Sequence, residues 1–129
     1  MLGEDKLRNV LSMVEDQDID IVCLTETWFD AQTGPFTAII REAGYEITHA
    51  NRDGKRGGGV AVMYKKQLKV KPGEFSATKY PSFEFASCTL HKVAQKIMIV
   101  AVYRKQEVLC SVFCEELEKF LERVFHEGD

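Results

Sequence analysis

The chain has 129 residues, of which 45% are hydrophobic and 29% are charged, and this composition is typical of a single globular domain. Its formal net charge of −3 excludes a protein whose overall charge attracts nucleic acid. No apolar stretch is long enough to span a membrane, and the N-terminus has no apolar signal core. We therefore expect an intracellular protein, nuclear or cytoplasmic, without a membrane partner.

Basic residues are concentrated in the middle of the chain. Residues 49–71 contain a single acid, Asp53, and the following bases: Arg52, Lys55, Arg56, Lys65, Lys66, Lys69 and Lys71. From Arg104 onward acids outnumber bases. We therefore expect any contact with DNA in the middle of the chain, where it would be weak, without sequence preference and sensitive to salt.

The first third of the sequence predicts a helix and then a strand. One helical stripe carries Leu7, Val10, Leu11 and Val14. The helix should end near residues 15–17. Residues 19–24 are a short β-branched apolar run, which predicts a buried central strand. The polar residues 25–34 predict a loop.

The rest of the sequence predicts a helix, several strands and a final helix. The segments are a helix at 36–43 capped by Gly44, a strand at 45–50, a turn at 51–57, a strand at 58–64, a weakly extended stretch at 68–71, a loop at 72–81 and a hairpin of strands 82–90 and 96–103. The final helix is indicated by a stripe of Phe113, Leu117, Phe120, Leu121 and Val124.

This order predicts an α/β layered fold with one mostly antiparallel sheet, since helices do not separate most of the strands. Each helix presents one apolar stripe, so we expect the helices to cover the same face of the sheet. The other face should then expose alternate residues of very apolar strands. A bare face of this kind predicts self-association.

Glu26 is the first candidate site residue. It directly follows an apolar strand, where a carboxylate projects into the usual ligand crevice of an α/β sheet. A hard oxygen ligand there could hold Mg²⁺, which often binds only one or two protein carboxylates. The alternative is an ordinary loop acid flanked by the capping hydroxyls of Thr25 and Thr27.

A glycine-rich strand start provides the second candidate. Three glycines follow Arg56, and together with Arg52 and Lys55 they would allow a phosphate backbone to approach closely. No Gly-Lys-Ser/Thr sequence follows, so this is not a nucleotide-binding P-loop. The alternative is a glycine-softened hairpin with solvated lysines.

Tyr103 and Arg104 end the strongest predicted strand. If this strand neighbours the one before Glu26, a phenol and a guanidinium would be available there to orient and neutralise a phosphate. The alternative is a strand-end tyrosine followed by a surface arginine.

The cysteines and histidines suggest no further site. Cys110 and Cys114 are one helical turn apart with only His126 nearby, so free thiols are favoured over zinc. Cys23 and Cys88 lie in apolar runs typical of buried cysteines.

Three segments in order resemble one family. "IDIVCLTETWFD", "GYEITHANRDGKRGGGVAVMYKK" and "IMIVAVYRK" resemble the endonuclease domain of LINE and jockey-type non-LTR retrotransposon proteins, within the endonuclease/exonuclease/phosphatase superfamily. The resemblance runs from about Leu7 to the final helix. It implies a partial four-layer α/β sandwich of the DNase I type and Mg²⁺-dependent cleavage of DNA phosphodiesters. By position, Glu26 matches the family's metal ligand and Tyr103 its active-site tyrosine.

The sequence also departs from the family pattern. Lys105 and Gln106 replace two prolines that usually follow the Tyr-Arg pair, which puts the shape of that loop in doubt. The family's opening strand with a metal-site Asn has no match, and neither Gly-Asp-Phe-Asn nor Ser-Asp-His occurs. We therefore expect weak Mg²⁺ binding and no activity from residues 1–129 alone. Two interpretations stay open: a fragment of a retrotransposon endonuclease, or a non-catalytic remnant that binds nucleic acid or a protein.

Overall fold

The described part of the chain contains three helices and six strands. The computed structural model describes residues 3–25, 34–50, 59–73 and 80–127. Its elements are, in chain order, α1 (Glu4–Asp16), β1 (Ile21–Thr25), α2 (Gly34–Glu42), β2 (Tyr45–Ala50), β3 (Val60–Lys65), β4 (Val70–Pro72), β5 (Phe83–Lys92), β6 (Gln95–Arg104) and α3 (Cys110–Glu127). The predicted helices and strands are all confirmed. The predicted turn at 51–57 lies outside the described residues.

The six strands form two separate antiparallel sheets. Sheet A has the order β1-β3-β2 and sheet B the order β4-β5-β6. The predicted hairpin is confirmed: β5 and β6 pair along their whole length, from Phe83 opposite Arg104 to Lys92 opposite Gln95. Each sheet therefore has one central strand, β3 or β5, with a partner on both sides.

The two sheets pack face to face. A buried cluster joins Val60 and Val62 of sheet A to Ala86, Cys88 and Ala101 of sheet B. Stacked sheets lie about 10 Å apart, and small side chains such as these fill that gap without strain. The burial raises the pKa of the Cys88 thiol. This cluster fixes the position of sheet A relative to sheet B.

Helices α1 and α2 cover the outer face of sheet A. Leu7, Leu11 and Val14 of α1 are buried against Ile40 of α2 and Met63 of β3. These α1 residues belong to the stripe that the spacing predicts. Helix α2 ends before Gly44, whose φ of +95° suits glycine and reverses the chain into β2.

Helix α3 covers the outer face of sheet B. Phe120 is fully buried, and its ring lies 4.7 Å from that of Phe85, 5.1 Å from that of Tyr80 and 5.8 Å from that of Phe83. Aromatic pairs at such separations contribute about 0.5–1.5 kcal/mol beyond the area that they bury. Glu116 adds a polar contact, since its carboxylate accepts hydrogen bonds from the backbone N–H and the hydroxyl of Ser82.

The mixed α/β architecture is confirmed, but two details of the prediction are wrong. The strands form two sheets and not one, and the helices lie on both outer faces and not on a single face. The reason is visible in the central strand β3, where residues 60–64 are all buried. Alternating burial would follow from one half-covered sheet, whereas burial of every residue requires cover on both faces.

The sheet face that was expected to be bare is therefore covered by the other sheet. Self-association stays an untested prediction, without that face to support it. Strand β1 also differs from the prediction, because it lies at the edge of sheet A and leaves Cys23 exposed. Across the described residues no helix is both long and apolar enough to cross a membrane.

Phe120→Ala tests the packing of α3. Truncating a buried phenylalanine in a core typically costs about 3–5 kcal/mol, so the free energy of unfolding in urea should fall by that amount. Phe125 lies on the same helix but is 72% exposed, and Phe125→Ala should change the value by no more than about 0.5 kcal/mol. Equal losses in the two variants would contradict the position of α3.

Candidate functional site

One end of the sandwich collects the strand ends that carry the predicted site residues. In sheet A, Thr25 at the end of β1 is the partner of Val60 at the start of β3. In sheet B, Phe83 at the start of β5 is the partner of Arg104 at the end of β6. A hydrogen bond of 2.7 Å from the Gly59 N–H to a carboxylate oxygen of Glu84 connects the two sheets here. We call this the Tyr103 end.

Tyr103 faces the space between the sheets. It is partly buried and packs against the cluster that contains Val60 and Ala101. Residues of a strand alternate between faces, so Ala101 and Tyr103 share the face turned toward sheet A. The phenol therefore belongs to the edge of the inter-sheet core, on the side where β1 ends and β3 begins.

Glu84 is a site residue that the sequence analysis missed. It is the Cα partner of Tyr103 in the β5–β6 ladder, and its carboxylate holds Gly59, whose φ is +93°. A glycine suits this conformation, and the carboxylate fixes its N–H. The signal was present in the sequence, because Glu84 is the one charged residue in the apolar strand segment 83–90.

Arg104 lies on the opposite face from Tyr103. The alternation that turns Tyr103 toward sheet A turns Arg104 toward α3. On that face lies the Cys114 thiol, whose pKa is raised by a hydrogen bond with Cys110, while the positive charge of Arg104 opposes the rise. The two thiols are free, exposed and 4.0 Å apart. The structure thus separates the two residues that the sequence pairs at one phosphate.

Four predicted site residues lie outside the described residues: Glu26, Arg52, Lys55 and Arg56. Their neighbours in the sequence are described and meet at the Tyr103 end. Thr25 directly precedes Glu26, and Gly59 follows Arg56 by three residues. The backbone that precedes Glu26 and the backbone that follows Arg56 thus lie at the same end of the sandwich as Tyr103.

No three side chains of His, Cys, Asp or Glu cluster among the described residues. One oxygen of Glu84 is already engaged by the Gly59 N–H, and a phenol is not a hard carboxylate ligand of the kind that Mg²⁺ prefers. No catalytic step through a metal can therefore be derived from Glu84 and Tyr103.

The chain matches a known protein family. A profile described as "Endonuclease/Exonuclease/phosphatase family" matches residues 2–104, which include all six described strands and end at Arg104. Comparison with curated proteins gives no significant match.

Glu84→Ala tests the connection between the sheets at the Tyr103 end. A hydrogen bond to a charged group contributes about 1.5–3 kcal/mol, so the Gly59 amide should exchange with deuterium roughly 10-fold to 100-fold faster. Glu84→Gln keeps an acceptor and should show a smaller effect. The backbone N–H of Lys65 donates a hydrogen bond to the Asp20 carbonyl at the other end of sheet A. Its exchange is an internal control and should not change. Unchanged exchange at Gly59 in Glu84→Ala would contradict this role.

Proposed function

Since the chain belongs to the endonuclease/exonuclease/phosphatase family, a nuclease-type or phosphatase-type hydrolase domain, we propose that it is part of a Mg²⁺-dependent DNA endonuclease of a non-LTR retrotransposon protein. The DNA substrate and this origin rest on the three sequence segments around Glu26, Arg56 and Tyr103. The basic segment that contains Arg52, Lys55 and Arg56 favours a polyanionic substrate such as DNA.

One structural observation supports the proposal. The Gly59–Glu84 hydrogen bond joins the two sheets beside Tyr103. The strand that precedes Glu26 therefore ends, and the strand that follows Arg56 begins, at one end of the sandwich. A phosphodiester at this end would meet the phenol of Tyr103, which can donate a hydrogen bond to a phosphate oxygen.

Each residue has a distinct proposed role. Tyr103 donates a hydrogen bond to a phosphate oxygen, and Glu84 positions Tyr103 and the glycine-rich strand start. Glu26 is the metal ligand, and the metal when bound supplies Lewis-acid stabilisation of the phosphate. Arg52, Lys55 and Arg56 neutralise neighbouring phosphates. Arg104 remains a proposed phosphate contact, although its side chain points toward α3 and away from that of Tyr103.

Residues 1–129 alone should not cleave DNA at a useful rate. The Asp-x-Asn and Ser-Asp-His segments that the resemblance implies do not occur in them. One carboxylate holds Mg²⁺ poorly, because this ion dehydrates reluctantly and needs further ligands. A missing general base typically costs a further factor of about 10²–10⁴. The alternative function is a non-catalytic module that binds nucleic acid or a protein. It predicts the same inactivity, but it predicts no Mg²⁺ binding that depends on Glu26.

Nicking of supercoiled plasmid with Mg²⁺ tests both parts of the proposal. We expect no nicking above buffer by residues 1–129, and a Glu26→Ala variant as the matched control should behave in the same way. Nicking by the parent that is lost in Glu26→Ala would contradict the proposed inactivity while supporting the endonuclease.

Isothermal titration with Mg²⁺ separates the two candidate functions. Weak binding that Glu26→Ala removes and Glu84→Gln retains supports the metal role of Glu26. Equal heats from the parent and Glu26→Ala would favour the non-catalytic module.

A further inference from the structure

The end of the sandwich opposite to Tyr103 carries a second basic surface. Strand β5 runs from Phe83 at the Tyr103 end to Lys92 at the other, and nine steps of about 3.3 Å separate these ends by roughly 30 Å. We call the distant end the Lys92 end. Three segments meet there: the end of β3, the turn before β4 and the β5–β6 hairpin.

A groove of about 640 Å³ opens at this end. Its basic residues are Lys69 and Lys92, with His91 beside Lys92, and all three are exposed. Its apolar residues are Leu68, Leu90 and Val93, of which Val93 is 99% exposed at the hairpin tip. The backbone N–H of His91 donates to the carbonyl of Lys69 over 2.9 Å, which holds the two sides of the groove together. We refer to this surface as the basic groove.

None of the described residues that line the basic groove is acidic. Residues 64–73 and 88–99, which form both of its sides, contain no acid at all. On the side of sheet A at this end, Asp18 and Asp20 are engaged by Lys65, and their hydrogen bonds raise the pKa of that lysine. The cations of the groove are therefore not neutralised by an acid from their own segments.

The described end of the basic segment 49–71 contributes to the groove. Lys69 lies there, whereas Arg52, Lys55 and Arg56 lie outside the described residues. Lys92 joins Lys69 although it lies 23 positions later in the sequence. The groove is thus formed by the end of this basic stretch together with the β5–β6 hairpin.

We propose that the basic groove binds the phosphate backbone of duplex DNA at a second contact, about 30 Å from the site of cleavage. This inference rests on the proposed function for its choice of DNA. Lysines without neighbouring acids complement phosphates, and apolar side chains between them suit the apolar faces of sugars. The surface is concave with one fully exposed apolar side chain, which is too little apolar area for insertion into a membrane.

The test is binding of a 24-bp duplex in EDTA, which prevents cleavage, measured by fluorescence anisotropy between 50 and 200 mM salt. Lys69→Ala combined with Lys92→Ala should weaken binding roughly tenfold at 50 mM salt and lower the salt slope by about 1.8, since each phosphate contact contributes about 0.9. The charge-matched control combines Lys6→Ala with Lys119→Ala, both on exposed helix surfaces, and should bind like the parent.

A second variant separates this inference from the proposed function. Arg52→Ala with Lys55→Ala and Arg56→Ala removes the bases that precede Gly59 in the sequence. Loss of binding in this variant alone would overturn the basic groove and leave the proposed function standing. Loss in the Lys69 and Lys92 variant alone would support the groove and count against the Tyr103 end as the DNA site.

Absence of duplex binding by the parent, or equal loss in the charge-matched control, overturns the groove. Binding of anionic lipid vesicles in preference to DNA also overturns it.

Discussion

The packing of sheet A on sheet B through small side chains is the constraint on which the rest of the structure depends. Val60 and Val62 meet Ala86, Cys88 and Ala101 across this interface. These short side chains fill the space between the sheets, and their packing aligns the strand ends at one end of the sandwich. That alignment brings the start of β3 to the start of β5, so that Gly59 reaches Glu84. Without it, the neighbours of Glu26 and Tyr103 would lie on unconnected sheets.

The local elements could be predicted from the sequence because their signals are local. Leu7, Leu11 and Val14 are spaced for one helical face and are buried together, and Gly44 ends α2 with a positive φ. The division into two sheets could not be predicted in the same way. The run from Val60 to Tyr64 shows that both faces of a strand are covered, but helices or a second sheet can provide that cover. Only the pairing of distant strands distinguishes the two, and a single sequence does not contain it.

The candidate site was predicted in part for a similar reason. Tyr103 could be assigned to a strand end, and its alternation with Arg104 was already implied by the period of a strand. The opposite directions of these two side chains follow from that period, and the site loses Arg104 as a natural partner of Tyr103. Glu84 was visible as a lone charge in an apolar strand, but its structural role is a hydrogen bond with Gly59, which lies 25 positions earlier in the chain. A contact between two sheets is needed to recognise it.

The most direct test of this account is a nuclear Overhauser experiment on protein with labelled methyl groups. The two-sheet packing predicts cross-peaks from the methyl groups of Val60 and Val62 in sheet A to those of Ala86 and Ala101 in sheet B. These residues belong to strands that share no ladder, so only face-to-face packing brings their methyl groups together. A spectrum without cross-peaks between these valines and alanines, in a folded protein, would contradict the account.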